Sequence, residues 1–325
     1  MRAVTITAPG GPHVLVERTF LDPTPGPGEV LIAVAAAGVN RADLLQREGR
    51  YPPPAGAPTW PGLEVSGTIA DVGPDVSGWT IGDRVCALLS GGGYADLVVA
   101  PAAQLLPVPA GLDLVTAAAL PEAVCTAWSN LVDAGALRAG QWVLVQGGSG
   151  GVGSIAIQLA VALGAHVVAT AGGPERAARC AGLGAEVVID HRAQDLVPAV
   201  LAATGGRGVD VVLDVLGAGG LAANLAVLAT GGRLVVIGMQ RGRRTELDLG
   251  LLLERRLSII GTTLRSRPAE EKAALVAAVR AGAWPMLDDG RLRPLVHARL
   301  PFSRAAEAHE LLESGQVFGK VLLTP

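Results

Sequence analysis

The sequence predicts an α/β protein in which a doubly wound parallel sheet is joined to a smaller, mostly β domain of barrel-like form. Three observations lead there. From Gln141 onward, apolar strand-like runs alternate regularly with helical patterns, and the first strand and helix are separated by a knot of glycines, Gly147 to Gly153. Before that point the chain reads as short strands broken by glycine and proline turns. At 325 residues it also exceeds the size at which one core keeps growing, so two domains are expected.

Met1 to Thr7 and Val14 to Thr19 read as two strands joined through Pro9, Gly10, Gly11 and Pro12, and Glu29 to Ala37 as a third after a Pro-Gly stretch. A short helix with polar groups at its head begins near Asn40 and Asp43. Arg50 to Pro61 is a proline-rich loop that carries Tyr51, the kind of segment on which binding residues sit. Gly62 to Ala70 and Gly82 to Ala87 are further short strands, and Ala117 to Ala134 is a long helix or helix pair. Strands then follow at Trp142–Gln146, His166–Thr170, Glu186–Ile189, Val209–Val215, Arg233–Gly238 and Leu257–Thr262. Helical patterns at Val152–Leu163, Glu175–Gly182, Asp195–Ala203, Leu221–Ala229 and Asp248–Glu254 separate them. The tail reads as a helix over Pro268–Ala281, a strand at Leu295–Leu300, a helix at Phe302–Ser314 and a last strand at Gly319–Leu323.

The organising stretch is Trp142 to Gly153, WVLVQGGSGGVG. Gly148, Gly150 and Gly153 stand at GxGxxG spacing between strand and helix, the context that turns a weak pattern into a dinucleotide site. One glycine serves the tight turn, one lets the main chain approach a pyrophosphate, and one lets the helix pack on the sheet. Gly148, Ser149, Gly150, Gly151, Val152 and Gly153 are therefore assigned to the cofactor. The helix start offers them free N–H groups and a partial positive charge.

The end of the second strand bears on which dinucleotide binds. An NAD site carries an acidic residue about twenty positions past the glycines to hold the ribose 2′-hydroxyl. Here that place reads Thr170-Ala171-Gly172-Gly173, without a carboxylate. Arg176 follows within one helical turn, and His191-Arg192 ends the third strand, so cationic donors gather where a 2′-phosphate would lie. NADPH is the expected cofactor, with Gly173, Arg176, His191 and Arg192 beside it.

Composition excludes other classes. Net charge is −3 with no basic block, which argues against nucleic acid or a membrane surface as main partner. Cys86, Cys125 and Cys180 lie far apart without metal spacing, so neither a disulfide framework nor a zinc knuckle is indicated and a reducing compartment is expected. Met1 opens directly into strand-like sequence and no run reads as a membrane span, so a cytoplasmic protein is expected.

The runs NRADLLQREGRYPPP (Asn40 to Pro54), PGLEVSG (Pro61 to Gly67), LLSGGGYADLV (Leu88 to Val98), GGSGGVG (Gly147 to Gly153) and LRSR (Leu264 to Arg267) together carry a resemblance. In order and spacing the chain resembles, over nearly its full length, the zinc-independent quinone oxidoreductases of the medium-chain dehydrogenase/reductase superfamily, in their zeta-crystallin-like branch. The resemblance implies a Rossmann sheet plus a GroES-like barrel, the barrel domain being residues 1–122 plus 268–325 and the nucleotide domain 123–267. Asn40 and Leu63 stand where zinc-dependent relatives carry metal ligands, and neither is a strong zinc ligand, so no metal is expected.

The resemblance also implies roles. Gly217, Gly238 and Met239 border the ribose and nicotinamide. Thr126 either touches the nicotinamide or is a capping or core threonine, and Asp214 either borders the same groups or is only a helix cap. Leu264 lies at the cofactor; Arg265 or Arg267 positions dinucleotide or substrate, or is a charged exit from a buried strand. Lys320, at the interdomain cleft, reaches a cofactor phosphate or is solvated. Tyr51 orders the nicotinamide ring or offers a hydrogen bond to quinone oxygen, or packs on the prolines. Asn40 and Asp43 polarise the carboxamide or relay a proton, or cap the short helix.

The activity so implied is NADPH-dependent reduction of a quinone. Reduction of an activated carbon–carbon double bond in an enone, and a cofactor-binding sensor with little turnover, are the other readings. Leu257 to Thr262 is an apolar edge strand, and in the family two subunits pair there, so a homodimer is expected.

Overall fold

The computed structural model describes residues 1–325. The chain forms two compact units, one of residues 1–125 with 264–325 and one of residues 126–263.

The first unit opens with an antiparallel pair, β1 (Arg2–Ile6) and β2 (Leu15–Thr19). In β3 (Glu29–Gly38) the period of two turns Val30, Ile32 and Val34 inward. Asn40 then starts α1 (Arg41–Arg47). β4 (Glu64–Val72) begins two residues later than expected, because Gly62 at φ 110° is still in the turn and sends its amide to Asp43. β5 (Arg84–Leu88), β6 (Leu97–Pro101) and β7 (Leu105–Pro107) follow, then α2 (Leu114–Ala117) and α3 (Pro121–Trp128). Of the two forms expected over 117–134, a long helix or a helix pair, the structure has the pair, the second helix running on as a π-helical turn over Ser129–Ala134.

The second unit is β8 (Trp142–Val145), α4 (Gly151–Ala162), β9 (His166–Ala171), α5 (Pro174–Ala181), β10 (Val187–Asp190), α6 (Leu196–Ala203), β11 (Val209–Asp214), α7 (Leu221–Ala226), β12 (Leu228–Val236), α8 (Leu249–Arg255) and β13 (Ser258–Gly261). All ladders are parallel, in the order β10-β9-β8-β11-β12-β13. The order reverses beside β8, and the crevice at the carboxyl ends there is where such sheets take ligands. Leu144, Val168, Ile189, Val212 and Leu234 form its core, and burial on both faces explains why the strands read as apolar runs. α7 stops earlier than expected since Leu228 already enters β12.

The tail is α9 (Ala269–Gly282), α10 (Pro285–Asp288), β14 (Val296–Pro301), α11 (Ala305–Glu313) and β15 (Lys320–Thr324). β15 pairs with β14 and with β3, which completes a sheet of order β14-β15-β3-β4-β5-β7, with β6 on β3. Ile32, Leu44, Tyr94, Phe302 and Val321 lie in its core. No helix is long and apolar enough to cross a membrane.

Candidate active site

In the second unit the turn after β8 is fixed by its own backbone. Gly147, at φ 72°, gives its amide to Thr170 Oγ1 at 2.9 Å; Gly148 gives its amide to the Thr170 carbonyl at 2.8 Å. A methyl on Gly148 would lie 2.9 Å from Ile157 Cδ1, and one on Gly153 would lie 2.1 Å from the Gly147 carbonyl oxygen. Gly153 therefore requires glycine, since the clash is with backbone, whereas Gly148 is crowded by side chains. At Gly150 the nearest atom to such a methyl is 3.5 Å away, so the loop is open on that side. No side chain caps α4, and the leading amides of Gly151, Val152 and Gly153 are left for an anion, with Ser149 half-buried beside them.

The basic residues expected at the 2′-phosphate come together. Arg176 donates Nε to the Gly172 carbonyl at 2.8 Å. A methyl on Gly172 would meet the His191 ring at 2.9 Å and Arg192 Nε at 3.1 Å, so both exposed side chains converge on Gly172 and Gly173. Asp190, which the sequence reading passed over, accepts the amides of Gly173 at 2.9 Å and Arg192 at 3.0 Å and so sets the corner. Those amides hold its carboxyl below the usual range.

Gly217 lies against Gly238 and Met239: a methyl on it would stand 2.9 Å from Met239 Cα and 3.2 Å from the Gly238 carbonyl oxygen. Asp214 accepts the amides of Leu216 at 2.8 Å and Gly217 at 2.9 Å. It fastens this second glycine turn. Thr126, half-buried, accepts Asn130 Nδ2 on its carbonyl at 2.7 Å.

In the first unit the expected catalytic residues enter a buried polar cluster. Asp43 accepts the Asn40 amide at 2.8 Å, the Gly62 amide at 3.0 Å and the Tyr94 hydroxyl at 3.2 Å, and has no exposed surface. Burial pushes its carboxyl up to about 6. The helix-cap reading therefore holds for Asp43, and contact with a substrate or carboxamide does not, because every approach is occupied.

Asn40 donates Nδ2 to Glu64 at 2.8 Å and accepts Lys320 Nζ on its side-chain oxygen at 2.6 Å. It remains half-buried. Lys320 also lies on the Glu64 carboxylate and is only 5% exposed. It is not solvated, and Glu64 takes the charge a phosphate contact would use, so Lys320 belongs to the frame of this unit.

Arg265 is likewise reassigned. It donates Nε to the Ser90 carbonyl at 2.7 Å, Nη2 to Gln46 at 2.7 Å and Nη1 to the Tyr51 carbonyl at 3.3 Å, with its guanidinium 5.3 Å from the Tyr51 ring centre. All three nitrogens donate within the first unit, and Nη1 and the ring contact tie the side chain to the Tyr51 loop. Leu264 is buried and accepts the amide of half-buried Arg267 at 3.2 Å; the expected sixth strand has already ended at Gly261.

Tyr51 is half-buried, and its hydroxyl is raised by burial and then by the charge of Glu122. Glu122 gives its amide to Glu64 at 2.9 Å. Burial, then the neighbouring Glu64, push its carboxyl up to about 8; Asp43 adds to this, while Lys320 and Lys272 oppose it. Lys272 donates to the Ser90 hydroxyl, and burial lowers its pKa. Glu64, Glu122 and Lys272 were missed because they stand far apart in sequence with no shared motif; only the fold assembles them.

Residues 26–110 match the family model of the alcohol dehydrogenase GroES-like domain, and residues 151–280 that of the zinc-binding dehydrogenase. The donor set does not fit that metal: Leu63 is buried and has no ligand atom, and no group of three His, Cys, Asp or Glu side chains could hold an ion. The chain is 35% identical to the quinone oxidoreductase of Homo sapiens across 99% of this chain and 97% of that one. A mycobacterial protein complexed with NADPH is 32% identical with a TM-score of 0.91, and the Escherichia coli quinone oxidoreductase complexed with NADPH is 29% identical with a TM-score of 0.89; each match covers 100% of both chains. With its barrel and Rossmann matches in this order, the chain belongs to the quinone oxidoreductases of the medium-chain dehydrogenase/reductase superfamily.

Proposed function

We propose that this protein is an NADPH-dependent quinone reductase in which the second unit, 126–263, binds the coenzyme and the first, 1–125 with 264–325, takes the acceptor, a few residues from the bounds of 123–267 and 1–122 with 268–325 that the resemblance implies. The observation that carries the reading is the convergence of Arg176, His191 and Arg192 on Gly172, in the same unit as the uncapped start of α4. When bound, NADPH supplies the hydride.

The amides of the Gly148–Gly153 loop hold the diphosphate, and the three basic side chains hold the 2′-phosphate. Gly217, Gly238 and Met239 border the ribose and nicotinamide. Tyr51 orders the flat acceptor and offers its hydroxyl to a quinone oxygen, held in place by Arg265. Asn40 presents a polar side chain fixed between Glu64 and Lys320. Positioning, rather than a metal or a strongly activated base, supplies most of the rate advantage.

A second reading is favoured by Glu122. A carboxyl protonated up to about pH 8, near enough to Tyr51 for its ionised form to raise that hydroxyl, is a proton source of the kind that reduction of an enone needs at the carbon next to the carbonyl. Turnover of 1,2-naphthoquinone against small enones, with NADPH and with NADH, separates the readings. Quinone turnover with NADPH preferred supports the first. Equal specificity constants for the two coenzymes would refute the 2′-phosphate assignment, and tight NADPH binding without turnover of any acceptor would favour a sensor.

We also propose a homodimer through residues 257–262, since β13 is a sheet edge with Ser258 and Ile259 exposed. The three cysteines are buried free thiols, which supports the cytoplasmic setting proposed here.

A further inference from the structure

Beneath the coenzyme crevice of the second unit, four side chains, from β9, the residue that follows β8, α7 and β11, form one directional polar row. All four are at most 4% exposed: Thr170, Gln146, Asn224 and Asp214. Thr170 Oγ1 accepts the Gly147 amide at 2.9 Å, so its single proton goes to Gln146 Oε1, also at 2.9 Å. That contact orients the Gln146 amide, whose Nε2 donates to Asn224 Oδ1 at 2.8 Å. The Asn224 amide nitrogen is thereby turned toward Asp214. It makes no hydrogen bond and is the one loose joint of the row. Burial raises the Asp214 carboxyl, opposed by the amides of Leu216 and Gly217 and then by the Asn224 amide. Asp214 closes the row on the amides of Leu216 and Gly217.

The two ends of this row are the two glycine turns. Gly147 and Gly217 both have φ 72°, a conformation in which glycine is favoured, so neither turn is held by a side chain of its own. Thr170 Oγ1, Gln146 Oε1 and Nε2 and Asn224 Oδ1 are each hydrogen-bonded to a neighbour in the row. Loss of one member leaves the next unpaired and free to turn.

We propose that Thr170, Gln146 and Asn224 are positioning residues that lock the diphosphate turn at Gly147 and the turn at Gly217 into one frame, so that both backbone edges of the dinucleotide site are set before NADPH arrives. The inference rests on the coenzyme assignment, but its consequences extend to the free protein.

Thr170→Val removes the hydroxyl with little change of shape, and Thr170→Ser restores it. NADPH affinity by titration calorimetry, acceptor KM, and hydrogen exchange of the free protein are the readouts. Thr170→Val is expected to weaken NADPH binding roughly tenfold, the effect of one lost buried hydrogen bond, with acceptor KM unchanged. Exchange should quicken in peptides covering Gly147–Ser149 and also in those covering Leu216–Gly217, and Thr170→Ser should return both toward wild type. Gln146→Met, which cuts the row in the middle, should loosen the same two segments if Thr170→Val does not fold. Wild-type NADPH affinity in Thr170→Val, or faster exchange confined to Gly147–Ser149 in these variants, would overturn the proposal. If wild-type protein failed to bind NADPH, the coenzyme assignment would fall, whereas the exchange result would still decide whether the two turns are coupled.

Discussion

Lys320 sets its ammonium on the carboxylate of Glu64 inside the first unit, where the two side chains are 5% and 0% exposed. Removing one partner of such a pair strands a charge away from water. Lys320→Met should therefore cost about 3–5 kcal/mol of stability in urea denaturation. Lys320→Met with Glu64→Gln should recover a large part of that loss, because the stranded charge is gone. A single variant as stable as wild type would contradict the pairing.

The basic corner gives a coenzyme-specific expectation. Arg192→Ala should raise KM for NADPH by roughly five- to tenfold, the worth of one solvent-screened charge-assisted hydrogen bond, and leave NADH almost unaffected. Arg176→Ala should act in the same direction. Parallel loss with both coenzymes would place these arginines in the fold rather than at the phosphate.

Tyr51 and Asn40 bear on the acceptor. Tyr51→Phe should lower kcat/KM for 1,2-naphthoquinone roughly tenfold, as expected for one lost hydrogen bond, with the Kd for NADPH within about twofold of wild type. Asn40→Ala should lower turnover as well. If both variants kept full quinone reduction, the proposed seat of the acceptor would be wrong.

Glu122 makes a pH test. Its carboxyl titrates near 8 in the folded protein against an ordinary value of 4.5, so between those values the folded state retains a proton the unfolded chain has released. A raised carboxyl pKa makes folding less favourable as pH rises through that window. Relative to wild type, Glu122→Gln should gain at least about 1 kcal/mol between pH 5 and pH 8.5 in urea denaturation. Parallel pH profiles for the two proteins would contradict the shift.

Ile259, 38% exposed on the edge strand β13, is the place to test association. Wild type should sediment as a dimer at micromolar concentration, and Ile259→Asp as a monomer with unchanged NADPH affinity. A monomeric wild type would remove the proposed interface.

The parallel sheet was legible because its strands are covered on both faces and its glycines serve steric needs that few other residues meet, as at Gly153. The Asn40-x-x-Asp43 pattern already contained the helix cap, though only burial distinguishes a cap from a catalytic acid. Lys320 and Arg265 were misread for a related reason. A buried cation and a solvated one look alike in sequence, and their partners Glu64, Ser90 and Gln46 lie more than a hundred residues away. Glu122 gave no local sign because its raised carboxyl depends on Glu64 and on burial that only the folded unit provides. Asp190 was overshadowed by its basic neighbours His191 and Arg192, although it is the residue that orients their turn.

The most direct test of the central claim is a crystal structure of the protein with NADPH. The diphosphate is expected within about 3 Å of the backbone amides of the Gly148–Gly153 loop, with the 2′-phosphate among Arg176, His191 and Arg192. A coenzyme bound elsewhere, with that loop bare, would contradict it.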